Sequence, residues 1–316
     1  VAASVAIGGV LIPMEEKEGY DKKFAAAVNI ASAPTGLIIP PSGILIIYPV
    51  LAGCSVVGMI MSGYIPGLMW ALACMVVAYV IAKKNHYPTA GKVPASVFFK
   101  YFVDAIPSLL LIVIIVGGVM SGIFTATESA AVAVAYTLFL SIVVYRSIKI
   151  KDLPKILLDA CETTAIIMFL IAGSNVMSFV MSFTGLPSAI GNALISVSSN
   201  KYVILLIINL VLLVVGCFMD ITPAVLIFTP IFLPVVQSFG MDPIHFGIMM
   251  VMNLGIGNIT PPVGSSLFSG CSVADMDMED MIKPILPFYA AIFVALMLVA
   301  YVPWFSMALP TLFGAV

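Results

Sequence analysis

The chain has 316 residues, of which 62% are apolar and only 9% charged, with a formal net charge of −2 and a mean hydropathy of +1.20. A water-soluble domain carries about 25% charged residues because its surface must be solvated, so this composition excludes a soluble globule and makes lipid the solvent of most of the outer face. The slightly negative charge argues against nucleic acid as a partner.

A spanning helix needs about 20 mainly apolar residues. In chain order, Phe24–Ala52 is apolar but interrupted by Gly and Pro. Uninterrupted candidate spans follow at Met59–Ala82, Ala105–Ile123, Thr127–Tyr145, Thr163–Phe183 and Tyr202–Met219. The segment Lys151–Leu158, with Asp and Pro near its start, reads as lying along the interface before its span. Ile221–Val236 is short and holds Pro223, Pro230 and Pro234, so it reads as a poor continuous span. Ile244–Phe268 is again apolar and interrupted, and Pro287–Phe305 is the last span. Short polar loops leave no room for a soluble domain. The expected class is an all-α polytopic membrane protein. Five single cysteines (Cys54, Cys74, Cys161, Cys217, Cys271) lack metal or redox spacing and read as packing residues. His86 and His245 form no ligand cluster. Eleven of the thirteen Lys and Arg residues fall in Lys17–Lys23, Lys83–Lys100 and Arg146–Lys155. Two spans separate each cluster from the next, which puts all three on one side, and the positive-inside rule makes that side cytoplasmic.

The chain also repeats itself. A shift of 221 residues (Pro40 to Pro261) superposes Pro13 on Pro234, Gly19 on Gly240, Asp21 on Asp242, Gly36 on Gly257, Pro40-Pro41 on Pro261-Pro262 and Gly43 on Gly264. After a small gap, Gly53-Cys54-Ser55-Val56 pairs with Gly270-Cys271-Ser272-Val273. Apolar composition alone does not bring this many Gly and Pro residues into register, so two related halves are expected, 1–150 and 151–316. Loop Glu15–Lys23 carries three lysines while its mate Val236–Pro243 carries none, a contrast expected of an inverted repeat. The counterpart of Tyr202–Met219 would precede Val1, so the first half is expected to lack its front.

Candidate site residues lie where the repeats interrupt their helices. Proline removes a backbone donor and glycine loosens the chain, so Asn29–Ser42 and Asn253–Gly264 should unwind at mid-span and free carbonyls, tolerated there only when buried in protein or facing a cavity. With Ser32, Pro34, Thr35 and Gly36 in one break, and Asn253, Gly255, Gly257, Thr260 and Pro261 in the other, carbonyl, hydroxyl and amide oxygens make a hard cage suited to Na⁺. A plain proline kink is the bland alternative. Asp220 interrupts two apolar arms and reads as the tip of a re-entrant hairpin, where a charge usually marks function; a surface helix cap is the alternative. Asp220, Thr222, Ser42 and Ser265 are the substrate candidates. Glu128, after Thr125 and Thr127, reads as a first-turn capping residue, and Ser174, Asn175 and Ser178 either face a cavity or bridge helices.

The segments Gly36-Leu-Ile-Ile-Pro-Pro-Ser42, Phe124-Thr-Ala-Thr-Glu-Ser-Ala130, Met219-Asp220 with Pro223-Ala224, Gly240-Met-Asp-Pro-Ile-His-Phe-Gly247 and Asn253–Gly264 resemble the large membrane subunit of tripartite ATP-independent periplasmic (TRAP) transporters. The resemblance covers essentially the whole chain; Ala126 stands where the family usually has Pro. It implies a bacterial inner-membrane protein of elevator-type ion-transporter fold, with re-entrant hairpins and interrupted helices. It also implies Na⁺-coupled uptake of an organic acid, a periplasmic substrate-binding protein as donor and a small four-helix membrane subunit as partner. The Ser-Ala-Pro-Thr-Gly wording around Pro34 leans toward sialic-acid and sugar-acid members over C4-dicarboxylate ones. No Ser-His pairing or His-Asp-Glu constellation supports an enzyme, and no helix has the regularly polar face of a channel. The rival is a stand-alone Na⁺/dicarboxylate carrier, which would need no binding protein.

Overall fold

The computed structural model describes residues 2–88, 94–185, 189, 190, 193 and 200–315. Every regular element among them is helical. Seven helical stretches there are long and apolar enough to cross a membrane: Val56–Lys84, Ala95–Gly117, Thr127–Val144, Ile150–Met177, Lys201–Phe218, Ile221–Ser238 and Met278–Tyr301. The chain forms two compact units, Val1–Pro88 with Ser174–Val316, and Thr89–Gly173. The first unit opens with α1 (Ala2–Lys17), α2 (Lys22–Ser32), α3 (Thr35–Ile38), α4 (Ile44–Ala52), α5 (Val56–Ser62) and α6 (Tyr64–Lys84). The second holds α7 (Ala95–Ile112), α8 (Gly118–Met120), α9 (Ala126–Phe139) and the start of α10 (Leu153–Thr184). The first unit then continues with α11 (Lys201–Phe218), α12 (Ile221–Ser238), α13 (Pro243–Gly257), α14 (Ser265–Val273), α15 (Met278–Tyr301) and α16 (Trp304–Leu312).

Local sequence explains most boundaries in the first unit. Gly19 and Gly240 take φ of 93° and 77°, a left-handed conformation that side chains disfavour. Two residues later Asp21 and Asp242 cap α2 and α13, accepting from Phe24 N at 3.0 Å and Ile244 N at 2.7 Å. The 221-residue shift carries α4 onto α14 end to end. Both helices restart after a cis Pro-Pro peptide, Pro40-Pro41 and Pro261-Pro262.

At the centre of this unit lies α13, buried on every side from Ile244 to Gly257, as expected of a helix apolar all round. Its glycines set how closely neighbours approach. A β-carbon on Gly257 would lie 2.5 Å from Gly216 Cα of α11, and one on Gly247 would lie 2.3 Å from the Tyr48 ring. That ring is fully buried and its hydroxyl donates to the Pro243 carbonyl at 2.6 Å, so it cannot swing aside. Gly247→Ala is therefore expected to destabilise the protein by about 1–3 kcal/mol through overpacking, read as a lower thermal midpoint in detergent. Gly173→Ala, with open space around its position, should leave the midpoint unchanged; equal midpoints for both variants would refute the Tyr48 packing.

Several sequence expectations are corrected. Ile221–Ser238 is one continuous 18-residue helix despite its prolines. Pro223 sits in the first turn, where backbone N–H groups have no intrahelical partner anyway. Pro230 and Pro234 are carried by tertiary packing, since Ala224, Val225, Leu226, Thr229, Phe232, Leu233 and Val236 bury one broad face. Lys151–Leu158 is not a separate interfacial segment: only a 3-10 turn at Ile150–Asp152 precedes the unbroken α10, whose Pro154 again falls in a first turn. The spans placed at Ala105 and Pro287 begin earlier, at Ala95 and Met278, because charged residues such as Glu279 and Asp280 are accommodated in a helix end that projects beyond the apolar stretch.

The 24-residue α15, roughly 36 Å long, relates the two ends of the first unit. At its start, Lys23 Nζ meets Asp280 Oδ1 at 2.8 Å; this half-exposed pair contributes at most about 1 kcal/mol, but it places the lysine-rich loop. At its finish, Tyr301 packs edge-on against Tyr202, ring centroids 5.8 Å apart, beside the Phe239–Asp242 loop. Single cysteines at the exposed positions Lys17 and Ser238, in a cysteine-free background, are therefore expected to label from opposite sides of the membrane. Labelling from one side would overturn the inverted-repeat reading.

In the second unit, the hydropathic windows of Ala95–Gly117 and Ile150–Met177 bury nothing within the chain, so their apolar faces meet lipid or another protein. Polar bonds between its helices include Ser129 Oγ donating to Ile115 O at 3.0 Å, Tyr136 to Pro107 O at 2.8 Å and a Ser108–Tyr145 hydroxyl pair at 3.1 Å. Glu128 completes a capping box with Thr125, the structural role its sequence context suggested. Asn175 is exposed, while the side chains of Ser174 and Ser178, and Lys92 of the second basic cluster, lie outside the described residues.

Candidate functional site

Antiparallel α11 and α12 form a helical hairpin whose turn is Met219-Asp220. The turn packs on the break between α13 and α14. Val263 N and Gly264 N both donate to the Cys217 carbonyl, at 3.3 and 3.2 Å, so the last turn of one hairpin arm satisfies two donors freed by the break. Gly264 itself takes φ 40°. Asn258 staples the break shut: its Nδ2 donates to Ser266 Oγ at 2.9 Å, Ser266 N donates to its carbonyl at 3.1 Å, and its Oδ1 receives a short hydrogen bond from the Ser265 hydroxyl.

Asp220 occupies the N-cap position of α12, yet its side chain makes no capping bond. Its carboxylate is exposed and lies 3.4 Å from Ser265 Oγ. Helix capping does not account for the charge. Thr222, half-buried, follows in the first helical turn. Asp220 and Ser265, two of the four substrate candidates, are thus together. Ser42, the repeat mate of Val263 rather than of Ser265, is buried in the other break, donating to Leu37 O at 2.7 Å.

The first break is built from Ser32 to Gly43. Ser32 Oγ donates to Asn29 O at 3.2 Å and Thr35 Oγ1 to Ser32 O at 2.6 Å. Thr260 Oγ1 in the second break does the same to Ile256 O at 2.6 Å. A hydroxyl whose proton is committed to a carbonyl keeps its lone pairs as acceptors, so each can face a cation. Pro34 is buried and Gly36 exposed. A β-carbon on Gly255 would lie 3.4 Å from Pro34 Cβ, so the first break packs directly on α13. Pro261, in its cis bond, is half-buried, while Gly257 serves the close approach of α11 described above. Asn253 is buried completely; its Nδ2 donates to the Asn209 carbonyl and Oδ1, at 2.9 and 2.8 Å, and its own Oδ1 has no partner. Among the described residues no three His, Cys, Asp or Glu side chains converge, so oxygen ligands here come from hydroxyls, amides and main-chain carbonyls. Asn258 and Asn209 were not singled out in the sequence. Each was visible as a polar residue within an apolar run, but which partner it meets was not.

The family described as "Tripartite ATP-independent periplasmic transporter, DctM component" matches residues 1–305 of the chain. The chain belongs to the DctM family. It is 50% identical over 315 residues to YgiK of Salmonella typhimurium, covering 99% of this chain and 72% of the relative. It is 38% identical to the sialic acid TRAP transporter large permease protein SiaM of Vibrio cholerae, covering 98% and 74%. It is 36% identical to the C4-dicarboxylate TRAP transporter large permease protein DctM of Pseudomonas aeruginosa, covering 99% and 73%. A DctM-family chain with seven apolar candidate spans is a multi-pass inner-membrane protein of a transporter family.

Proposed function

We propose that this DctM-family chain is the membrane-crossing subunit of a Na⁺-coupled importer of a hydroxylated organic acid, a sialic or related sugar acid in preference to a C4-dicarboxylate. A periplasmic substrate-binding protein delivers the acid, and a small four-helix membrane subunit completes the complex. The observation that carries the reading is the uncapped Asp220 carboxylate beside Ser265 at the hairpin tip. Such a carboxylate accepts from a substrate hydroxyl, and it would repel the second charge of a dicarboxylate. The same repulsion holds the substrate's own carboxylate away from Asp220, with its hydroxylated end toward the hairpin tip. Na⁺ fits the two breaks, where Ser32, Thr35 and Thr260 keep hydroxyl lone pairs and carbonyls are close by; the unpartnered Oδ1 of Asn253 is a further oxygen of the right kind. Transport proceeds by an elevator motion of the hairpin-bearing unit.

Reconstitution in proteoliposomes tests this. Uptake of a sugar acid is expected to require both a Na⁺ gradient and the binding protein, and to exceed uptake of succinate. Sodium-independent uptake removes the coupling; uptake without any binding protein makes the chain a stand-alone carrier; faster succinate uptake reverses the substrate preference.

A further inference from the structure

Away from the hairpin tip, on the face opposite the Lys17–Lys23 loop, the ends of α11, α12 and α15 enclose a cavity of about 240 Å³. Lys201, Tyr202, Asp242, His245 and Tyr301 contribute to its lining. Part of that wall is committed internally. His245 is buried, its Nε2 3.2 Å from the Ala300 carbonyl and its Nδ1 2.6 Å from Ser306 Oγ. A carbonyl only accepts, so Nε2 carries a proton. The Tyr301 hydroxyl donates to the Tyr202 carbonyl at 3.2 Å. These bonds shape the cavity and leave little of it to bind.

Lys201 is different. It is the first residue of α11, where the helix dipole disfavours a cation. It also stands on the face that the positive-inside rule leaves poor in Lys and Arg; only Lys201 and Lys283 fall outside the three basic clusters. Its Nζ lies over the Tyr202 ring, 5.2 Å from the centroid, and among the described residues it has no ion-pair partner. A cation set against both fields is offset by an anion bound at the same point, where the first N–H groups of α11 also favour negative charge. Asp242, which has a second carboxylate oxygen beside the Oδ1 that caps α13, and the Tyr301 ring in the same cavity suit a cation. The wall is therefore zwitterionic. Apolar stripes run from it at helical spacing: Val203, Leu206, Leu210 and Val214 along α11, and Val294, Leu298 and Val302 at the end of α15, all exposed.

We propose that this cavity holds the headgroup of a zwitterionic phospholipid, phosphatidylethanolamine. The phosphate sits at Lys201 and the first turn of α11, the ammonium sits at Asp242 and the Tyr301 ring, and the acyl chains lie along the stripes. Opposite charges in one cavity, Tyr residues at the membrane–water boundary and adjoining apolar stripes favour a lipid over a soluble ligand.

Native mass spectrometry of the full chain, equilibrated with vesicles of equal phosphatidylethanolamine and phosphatidylglycerol and then washed in mild detergent, tests the site. One phosphatidylethanolamine per chain should survive the wash. Lys201→Gln should reduce that retention roughly tenfold, the loss expected for one charge-assisted contact, whereas Lys283→Gln at the other end of α15 should leave it unchanged. Retention by Lys201→Gln equal to that of the parent protein overturns the proposal. So does equal retention of phosphatidylglycerol, which would make the site a simple basic patch. Displacement of the lipid by free phosphoethanolamine at lipid-equivalent concentration would reassign the cavity to a soluble zwitterion.

Discussion

Asp220→Asn is expected to reduce organic-acid uptake roughly 10- to 100-fold, the span covered by one to two charge-assisted hydrogen bonds at a transport barrier, without impairing insertion or folding. Asn preserves the shape and removes the charge. The Asp220 side chain makes no cap bond, so α12 loses nothing when the carboxylate goes. The partner within reach is Ser265 Oγ at 3.4 Å, and that hydroxyl already gives a shorter bond to Asn258 Oδ1. A hydroxyl has one proton. Asp220 is thus the uncommitted acceptor at the hairpin tip, open to a substrate hydroxyl. Thermal midpoints of Asp220→Asn and the parent protein should agree to within about 0.5 kcal/mol of stability, as for surface substitutions. Near-normal uptake by this variant, in protein of parental stability, would return Asp220 to the role of a turn residue.

Thr35→Ala and Thr260→Ala should each raise the Na⁺ concentration for half-maximal uptake by roughly three- to tenfold, the effect of losing about 1 kcal/mol of coordination. Each hydroxyl donates at 2.6 Å to a carbonyl one turn back in its own break, which orients its lone pairs away from that carbonyl. Thr35→Ser and Thr260→Ser keep the oxygen and should restore the parental Na⁺ dependence. A structural role would instead lower maximal uptake equally at every Na⁺ concentration. If both Ala variants keep the parental Na⁺ dependence, the breaks are proline kinks and the sodium sites lie elsewhere.

Much of this molecule was legible because its strongest signals act over a few residues. Sparse charge makes lipid the solvent whatever the packing. Pro40-Pro41 and Pro261-Pro262, flanked by Gly43 and Gly264, interrupt helices by removing donors and freeing the backbone, and both breaks stand where the repeat put them. Asp220 between two apolar arms marked the hairpin turn for the same local reason. Tertiary structure decided the rest. The α12 helix continues through Pro230 and Pro234 because a broad buried face outweighs two lost hydrogen bonds, a balance that no window of its own residues contains. Asp220 meets Ser265 across 45 positions, and Asn253 meets Asn209 across 44. Hydropathy and turn chemistry assign a residue to an element and a depth, but not to a partner. Partners follow from which helix faces come together, and that is set by close approaches such as Gly216 on Gly257 and Gly247 on Tyr48, where absent side chains leave the room.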